Sequence, residues 1–162
     1  MEIERKFLID WSTVEGLELP LVKTADSWQG YLSAAAPVVR IRKRNFHDGR
    51  TDYILCIKGK GLLARPEFEK ELTAEEFQEL EAMLPIKMIY KDYRVYRLPD
   101  GHLLECSMVD GKFAYAEVEF DSVEEANAFR KPDFLLKDVT EDPYYSMAGY
   151  WRRQQITVSF EL

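Results

Sequence analysis

Three pairs of glutamates define the chemistry open to this chain: Glu2/Glu4, Glu67/Glu69 and Glu117/Glu119, each spaced by two within an alternating, strand-like run. Residues two apart on a strand share a face, so each pair presents its carboxylates side by side, and Lys6 continues the first pair on that face. Carboxylates gathered in this number do not persist in a dry interior unless something cationic is held among them. Hard oxygen donors of this kind suit Mg²⁺ or Mn²⁺. A second run has the opposite sign: Arg40, Arg42, Lys43 and Arg44 form a basic island in a chain of net charge −7. Guanidinium groups match phosphate oxygens in a fork, and an ammonium such as Lys58 adds a point charge. Arg44, Lys60 and Arg94 are further candidates for that basic wall. A polyphosphate with its metal would satisfy both walls at once. The matching reaction is phosphoryl transfer, which depends mostly on positioning and charge neutralisation.

The elements that must position these residues are mostly strands. Alternation predicts them over Glu2–Ile9, Ser27–Ser33, Val38–Asn45, Thr51–Gly59, Arg65–Leu72, Tyr90–Leu98, His102–Met108 and Phe113–Phe120. Turn signals at His47-Asp48-Gly49, Pro99-Asp100-Gly101 and Asp110-Gly111 separate several of them. Eight such strands predict an α+β protein built on a closed antiparallel eight-stranded barrel. Thr73-Ala74-Glu75-Glu76 is a capping box that opens a helix carrying Phe77, Leu80 and Leu84 and stopped by Pro85. Ser122-Val123-Glu124-Glu125 repeats that logic. A third helix is expected over Ser146–Gln155, with Met147, Tyr150 and Trp151 on one side, either as core packing or as a plug at one tunnel mouth. The helices need an apolar surface to cover, which places the apolar strand faces outward and the charged faces inward. The expected result is a tunnel with a wet, charged lumen.

Composition sets the bounds. The 162 residues, 46% hydrophobic and 13% aromatic, fit one folded domain spanning 1–162. The negative net charge argues against nucleic-acid or anionic-membrane partners, which require a positive field. No apolar leader is seen, and no apolar run approaches the ~18 residues that span a bilayer. The only cysteines, Cys56 and Cys106, lie in strand-like segments and have no zinc spacing, which predicts reduced thiols in a cytoplasmic protein. His47 and His102 lie beside turns with no partner spacing for metal or triad chemistry. The sequence is compatible with a homodimer as well as a monomer.

The motifs together resemble the CYTH domain, or triphosphate tunnel metalloenzyme, family and its triphosphatase branch in particular. The resemblance rests on the Glu-x-Glu-x-Lys start, Gln29-Gly30-Tyr31-Leu32, Val39-Arg40-Ile41-Arg42, Ile57-Lys58-Gly59, Arg65-Pro66-Glu67-Phe68-Glu69, Ala116-Glu117-Val118-Glu119 and Val139-Thr140-Glu141-Asp142. It covers nearly the whole chain and implies an eight-stranded tunnel, divalent-metal dependence and hydrolysis of triphosphates. By position, Lys6 and Tyr31 match a dyad that handles the attacking water, with positive charge from Lys6 expected to acidify the phenol. Arg40, Arg42 and Lys58, with Lys6 and Arg94, match the phosphate clamp. Glu2, Glu4, Glu67, Glu69, Glu105, Glu117 and Glu119 match the metal-binding acids. The sequence departs from the family where Ser107 replaces a second acid after Glu105. It departs again in Tyr90–Arg94: aligning Tyr93-Arg94-Val95 loses two basic positions, and aligning Lys91 leaves Tyr93 where an arginine belongs. These departures keep two alternatives open, an adenylate cyclase and a non-catalytic binder of triphosphate or polyphosphate.

Overall fold

A computed structural model describes residues 1–161. The strands are β1 (Glu2–Leu8), β2 (Leu21–Ser33), β3 (Val38–Phe46), β4 (Thr51–Lys58), β5 (Ala64–Arg65), β6 (Glu67–Glu71), β7 (Ile89–Arg97), β8 (Leu103–Val109) and β9 (Phe113–Glu119). The helices are α1 (Trp11–Gly16), α2 (Ala74–Glu81), α3 (Val123–Ala128) and α4 (Met147–Glu161), with a 3-10 turn at Pro143–Tyr145 ahead of α4. All strand pairs are antiparallel, in the order β5-β1-β9-β8-β7-β2-β3-β4-β6.

Nine strands stand where eight are expected because Pro66, which has no N–H to give a ladder, splits the run Arg65–Leu72. β5 pairs with β1 at one edge of the sheet, and β6 pairs with β4 at the other. Since β5 and β6 are joined through Pro66, the chain itself links the two edges and nearly closes the barrel. β2 starts at Leu21 rather than Ser27.

Most lumen-facing positions carry charge and most outward positions are apolar, as the alternation predicts, with Arg5 on β1 and Asp92 and Arg94 on β7 as outward exceptions. On the outer face Phe7, Leu104, Cys106, Ala116 and Val118 form one core with Val14 of α1, Ala126 of α3 and Leu135. Phe7 is fully buried there, so Phe7→Ala removes about 3–5 kcal/mol of packing. Arg5, also outward, ties the segment after β9 to β1: it donates to Asp138 Oδ2 at 2.8 Å and to the carbonyls of Ala126 and Phe129. The capping box of α2 is formed, with Glu76 N–H on Thr73 Oγ1 and the Glu76 carboxylate on Thr73 N–H. Phe77 then packs on Tyr53 of the barrel wall. α1 has no apolar periodicity to announce it; Asp10 caps its six residues by accepting from Thr13 N–H.

α4 runs from Met147 to Glu161, and its first turns enter one end of the barrel. Met147, Tyr150 and Trp151 are buried against the inward-facing Tyr31, Ile89, Val109 and Tyr115. The Trp151 and Tyr31 rings lie 5.8 Å apart, and Tyr150 Oη donates to Asp110 at 2.7 Å. Gly149 permits the tight approach of α4 to the 3-10 turn, since a Cβ there would lie 2.6 Å from the Pro143 carbonyl oxygen. The stripe expected as core or plug is therefore both: it is an apolar floor that closes one end of the tunnel.

Candidate active site

The open part of the lumen is a cavity of about 340 Å³ in which charged side chains predominate, joined by Gln29, three tyrosines and a few apolar residues. Glu2, Glu4, Lys6, Tyr31, Arg40, Arg42, Lys58, Glu67, Glu69, Glu105, Glu117 and Glu119 all line it. Strand register explains how residues so far apart in sequence meet. Glu4 stands opposite Glu119 and Lys6 opposite Glu117 on β1 and β9. Lys58 stands opposite Glu67 on β4 and β6, and Tyr31 opposite Arg40 on β2 and β3.

Carboxylate oxygens of Glu2, Glu4 and Glu119 converge within 4.8 Å of one another, a donor set that fits a hard divalent cation. Cys56, Glu67 and Glu69 form a second such group, but burial pushes the Cys56 thiol up, which favours the two carboxylates as the oxygen donors there. The electrostatics show crowding. Burial and then the neighbouring Glu117 push Glu4 well above the carboxylate range. Burial, Glu105, Glu2 and Glu117 push Glu119 up to about 7, and burial with the hydrogen-bonded Glu2 does the same to Glu67. Glu117 is held down to about 2: burial opposes ionisation there, but the proton on Glu4 and the charges of Lys6, Lys91 and Lys58 outweigh it. A metal ion would supply the missing positive charge.

The basic wall has the converse deficit. The Nε atoms of Arg40 and Arg42 are buried and have no hydrogen-bond partner among the described residues. Burial, with Arg40 and Arg44 close by, lowers Arg42 to about 10. Burial also lowers Lys6, only partly offset by Glu117 and Glu4. Cations packed together without counter-ions fit an incoming anion.

Several expectations need correction. Arg94 is not in the lumen. It faces outward on β7, donates to Glu15 Oε2 at 2.6 Å, pairs with Asp92 and lies 4.7 Å from the centroid of the Trp11 ring. The inward residues of β7 are Lys91 and Tyr93, the register that an alignment through Lys91 gives, and Lys91 is a buried lumen cation not among the expected site residues. Lys60 lies exposed in the loop after β4 and is not part of the lining. Lys58 does line the lumen but is already paired, 2.9 Å from Glu2 and 3.6 Å from Glu67. Arg44 is likewise held by Asp52 at 2.9 Å. Glu105 lines the cavity, yet its carboxylate accepts a 2.5 Å hydrogen bond from Tyr93 Oη.

Tyr31 is not acidified. Burial raises its phenol above the ordinary value, a shift that Arg40, Lys58 and the Gln29 hydrogen bond only partly offset. Lys6 instead donates to the Tyr145 carbonyl at 2.7 Å and lies 3.9 Å from the centroid of the Tyr115 ring.

A nearly closed antiparallel tunnel with facing carboxylate and guanidinium walls defines the triphosphate tunnel class. Comparison agrees with the geometry. An inorganic triphosphatase of Nitrosomonas europaea is 33% identical over 147 residues, covering 89% of this chain and 92% of that protein. The crystal structure of an inorganic triphosphatase superposes with a TM-score of 0.59 at 28% identity, covering 93% of each chain. A Pyrococcus horikoshii OT3 protein shares the fold at 20% identity, with a TM-score of 0.60 over 78% of this chain and 82% of that one. No family model matches the chain. The chain belongs to the CYTH-type inorganic triphosphatase family.

Proposed function

We propose that the protein hydrolyses inorganic triphosphate, or the triphosphate of a nucleoside, with Mg²⁺ or Mn²⁺ in the tunnel. The observation that carries this reading is the double deficit of the lumen: carboxylates pushed up for want of a cation face buried arginines with unpartnered Nε atoms. Glu2, Glu4 and Glu119 would hold the metal, with Glu67, Glu69 and Glu117 adjoining. When bound, it supplies charge neutralisation and Lewis acidity to phosphoryl oxygens. Arg40 and Arg42 grip the phosphate chain, and Lys6 and Lys91 draw its leading phosphate toward the floor. Tyr31, kept protonated by burial, donates a hydrogen bond to a phosphoryl oxygen or to the attacking water. The apolar floor keeps solvent out from beneath.

Among the described residues no helix is long and apolar enough to cross a membrane. The two cysteines are free and buried on different strands, which supports a reducing, cytoplasmic setting.

The test is phosphate release from inorganic triphosphate, ATP, GTP and thiamine triphosphate in EDTA and then with each metal restored. Turnover should vanish in EDTA and return with Mg²⁺ or Mn²⁺; full turnover in EDTA refutes the metal role. Binding without release would leave a triphosphate binder, and cyclic AMP formed from ATP would establish the cyclase alternative.

A further inference from the structure

The lumen cations divide by what holds them. Lys58, Arg65 and Arg44 are paired with the carboxylates of Glu2, Glu67 and Asp52, so their charge is largely spent inside the protein. The hydrogen-bond acceptors of the two lysines nearest the floor are uncharged, and the Glu117 carboxylate acts on both ammonium groups only through its field. The Lys6 ammonium donates to the Tyr145 carbonyl and lies over the Tyr115 ring at 3.9 Å. Lys91 donates to the Tyr115 hydroxyl, and its ammonium is 5.1 Å from the centroid of the same ring. Tyr115 is 1% exposed, wedged among Tyr31, Met147 and Trp151 in the floor.

We propose that Tyr115 is a positioning residue for the anion seat: one buried side chain aims Lys6 with its ring and Lys91 with its hydroxyl, and neutralises neither. The choice of a phenol follows from the chemistry. A carboxylate at this position would hold both lysines more tightly but would cancel the charge meant for the anion. A leucine would hold the floor but orient nothing. Without the hydroxyl, Lys91 loses the hydrogen-bond acceptor the structure gives it, and only the field of the Glu117 carboxylate is left to orient the ammonium. The inference rests on the triphosphatase reading.

The experiment is a double-mutant cycle on steady-state hydrolysis of inorganic triphosphate with Mg²⁺, using Tyr115→Phe, Lys91→Ala and the pair. Tyr115→Phe keeps the ring under Lys6 and removes only the acceptor. It should lower kcat/KM roughly ten- to hundredfold, the range of a hydrogen bond to a charged group, mostly through KM and with the melting temperature unchanged. In the Lys91→Ala background the same change should have less than about a twofold effect, because its partner is gone. Tyr115→Leu should lose a further factor that disappears in a Lys6→Ala background. Wild-type kinetics for Tyr115→Phe, or an equal loss with and without Lys91, would overturn the proposal. Failure of the wild-type protein to hydrolyse triphosphate would instead defeat the functional reading, and that is seen before any variant is compared.

Discussion

Glu119→Gln should stabilise the metal-free protein at alkaline pH and leave it unchanged in acid. Glu119 is exposed at the open mouth, and burial of its inner part together with Glu105, Glu2 and Glu117 raises its pKa from 4.5 to about 7. A carboxyl whose folded-state pKa exceeds its unfolded value holds its proton more tightly when folded. The stability from that proton is fully present below pH 4.5 and is lost as pH rises through about 7. Above that window the ionised carboxylate works against the fold. A shift of this size is worth about 3 kcal/mol, and solvent screening of an exposed group reduces it to about 1–2 kcal/mol. For a domain of this length that is a rise of roughly 2–8 °C in melting temperature. The assay is thermal and urea denaturation in EDTA at about pH 4 and about pH 8.5, where the linkage predicts almost no difference and nearly the full difference respectively. Adding Mg²⁺ at the higher pH should reverse the order, since metal stabilises the form that binds it and Gln removes one donor. A benefit that is equal at both pH values, or a loss at the higher one, would refute crowding as the cause of the shift.

Arg42→Ala should raise KM for triphosphate by about ten- to hundredfold without altering the melting temperature, and Ile41→Arg, at the fully buried outward position beside it, should do the reverse. Equal small effects would mean that inside and outside are exchanged. Tyr31→Phe keeps the ring on Trp151 and should cost about ten- to hundredfold in turnover, the worth of one hydrogen bond to water or to a charged phosphoryl oxygen; a loss beyond a thousandfold would point to a phenolate base instead. His102→Gln tests a clasp away from the tunnel. His102 lies between Asp100 and Glu125 at 2.8 and 2.7 Å, and those hydrogen bonds raise its pKa above 6.5. Its contribution is fully present below pH 6.5 and disappears as pH rises through the raised value, so the variant should melt earlier than wild type in acid and more nearly with it in alkali. A difference that is the same at both would show that packing on Phe120 and Phe129 is what counts.

What the sequence discloses depends on how each strand face is used. β1, β3, β6 and β9 are legible because like charges recur at every second position, and six of the seven proposed acids and both clamp arginines follow from spacing two. β7 is not, because both of its faces are polar. Tyr90, Asp92 and Arg94 face outward toward Asp26, Glu15 and Trp11, and Lys91 and Tyr93 face inward, so a slip of one residue exchanges the faces without breaking the pattern. The outer charge on β7 is tolerated because α1 covers it, and a six-residue helix has too few turns to show an apolar period. The early part of β2 is missed for a related reason: Lys23, Thr24, Ala25 and Asp26 offer no apolar residues on one face for alternation to reveal. Tyr115 was legible only as an ordinary strand aromatic, since its role comes from two lysines on other strands.

The inward charges are also sorted along the tunnel axis, and that sorting gives the site a direction. On β1 the order from the open mouth is Glu2, Glu4, Lys6, a span of roughly 13 Å at strand rise. β9 runs the other way and places exposed Glu119 at the mouth, Glu117 beside Lys6 and Tyr115 at the floor. The carboxylates that converge are thus those near the mouth, and the lysines held by neutral groups are those at the bottom. In the proposed reading, a phosphate chain entering by the open end would reach the lysines with its leading phosphate only after passing the carboxylate cluster. That cluster repels an anion arriving without metal, which couples entry of the chain to the charge of its cation. Under the proposed reading, α4 at the far end would leave the open mouth as the exit for products, and any group esterified to the trailing phosphate would stay on the solvent side of Glu2 and Glu119.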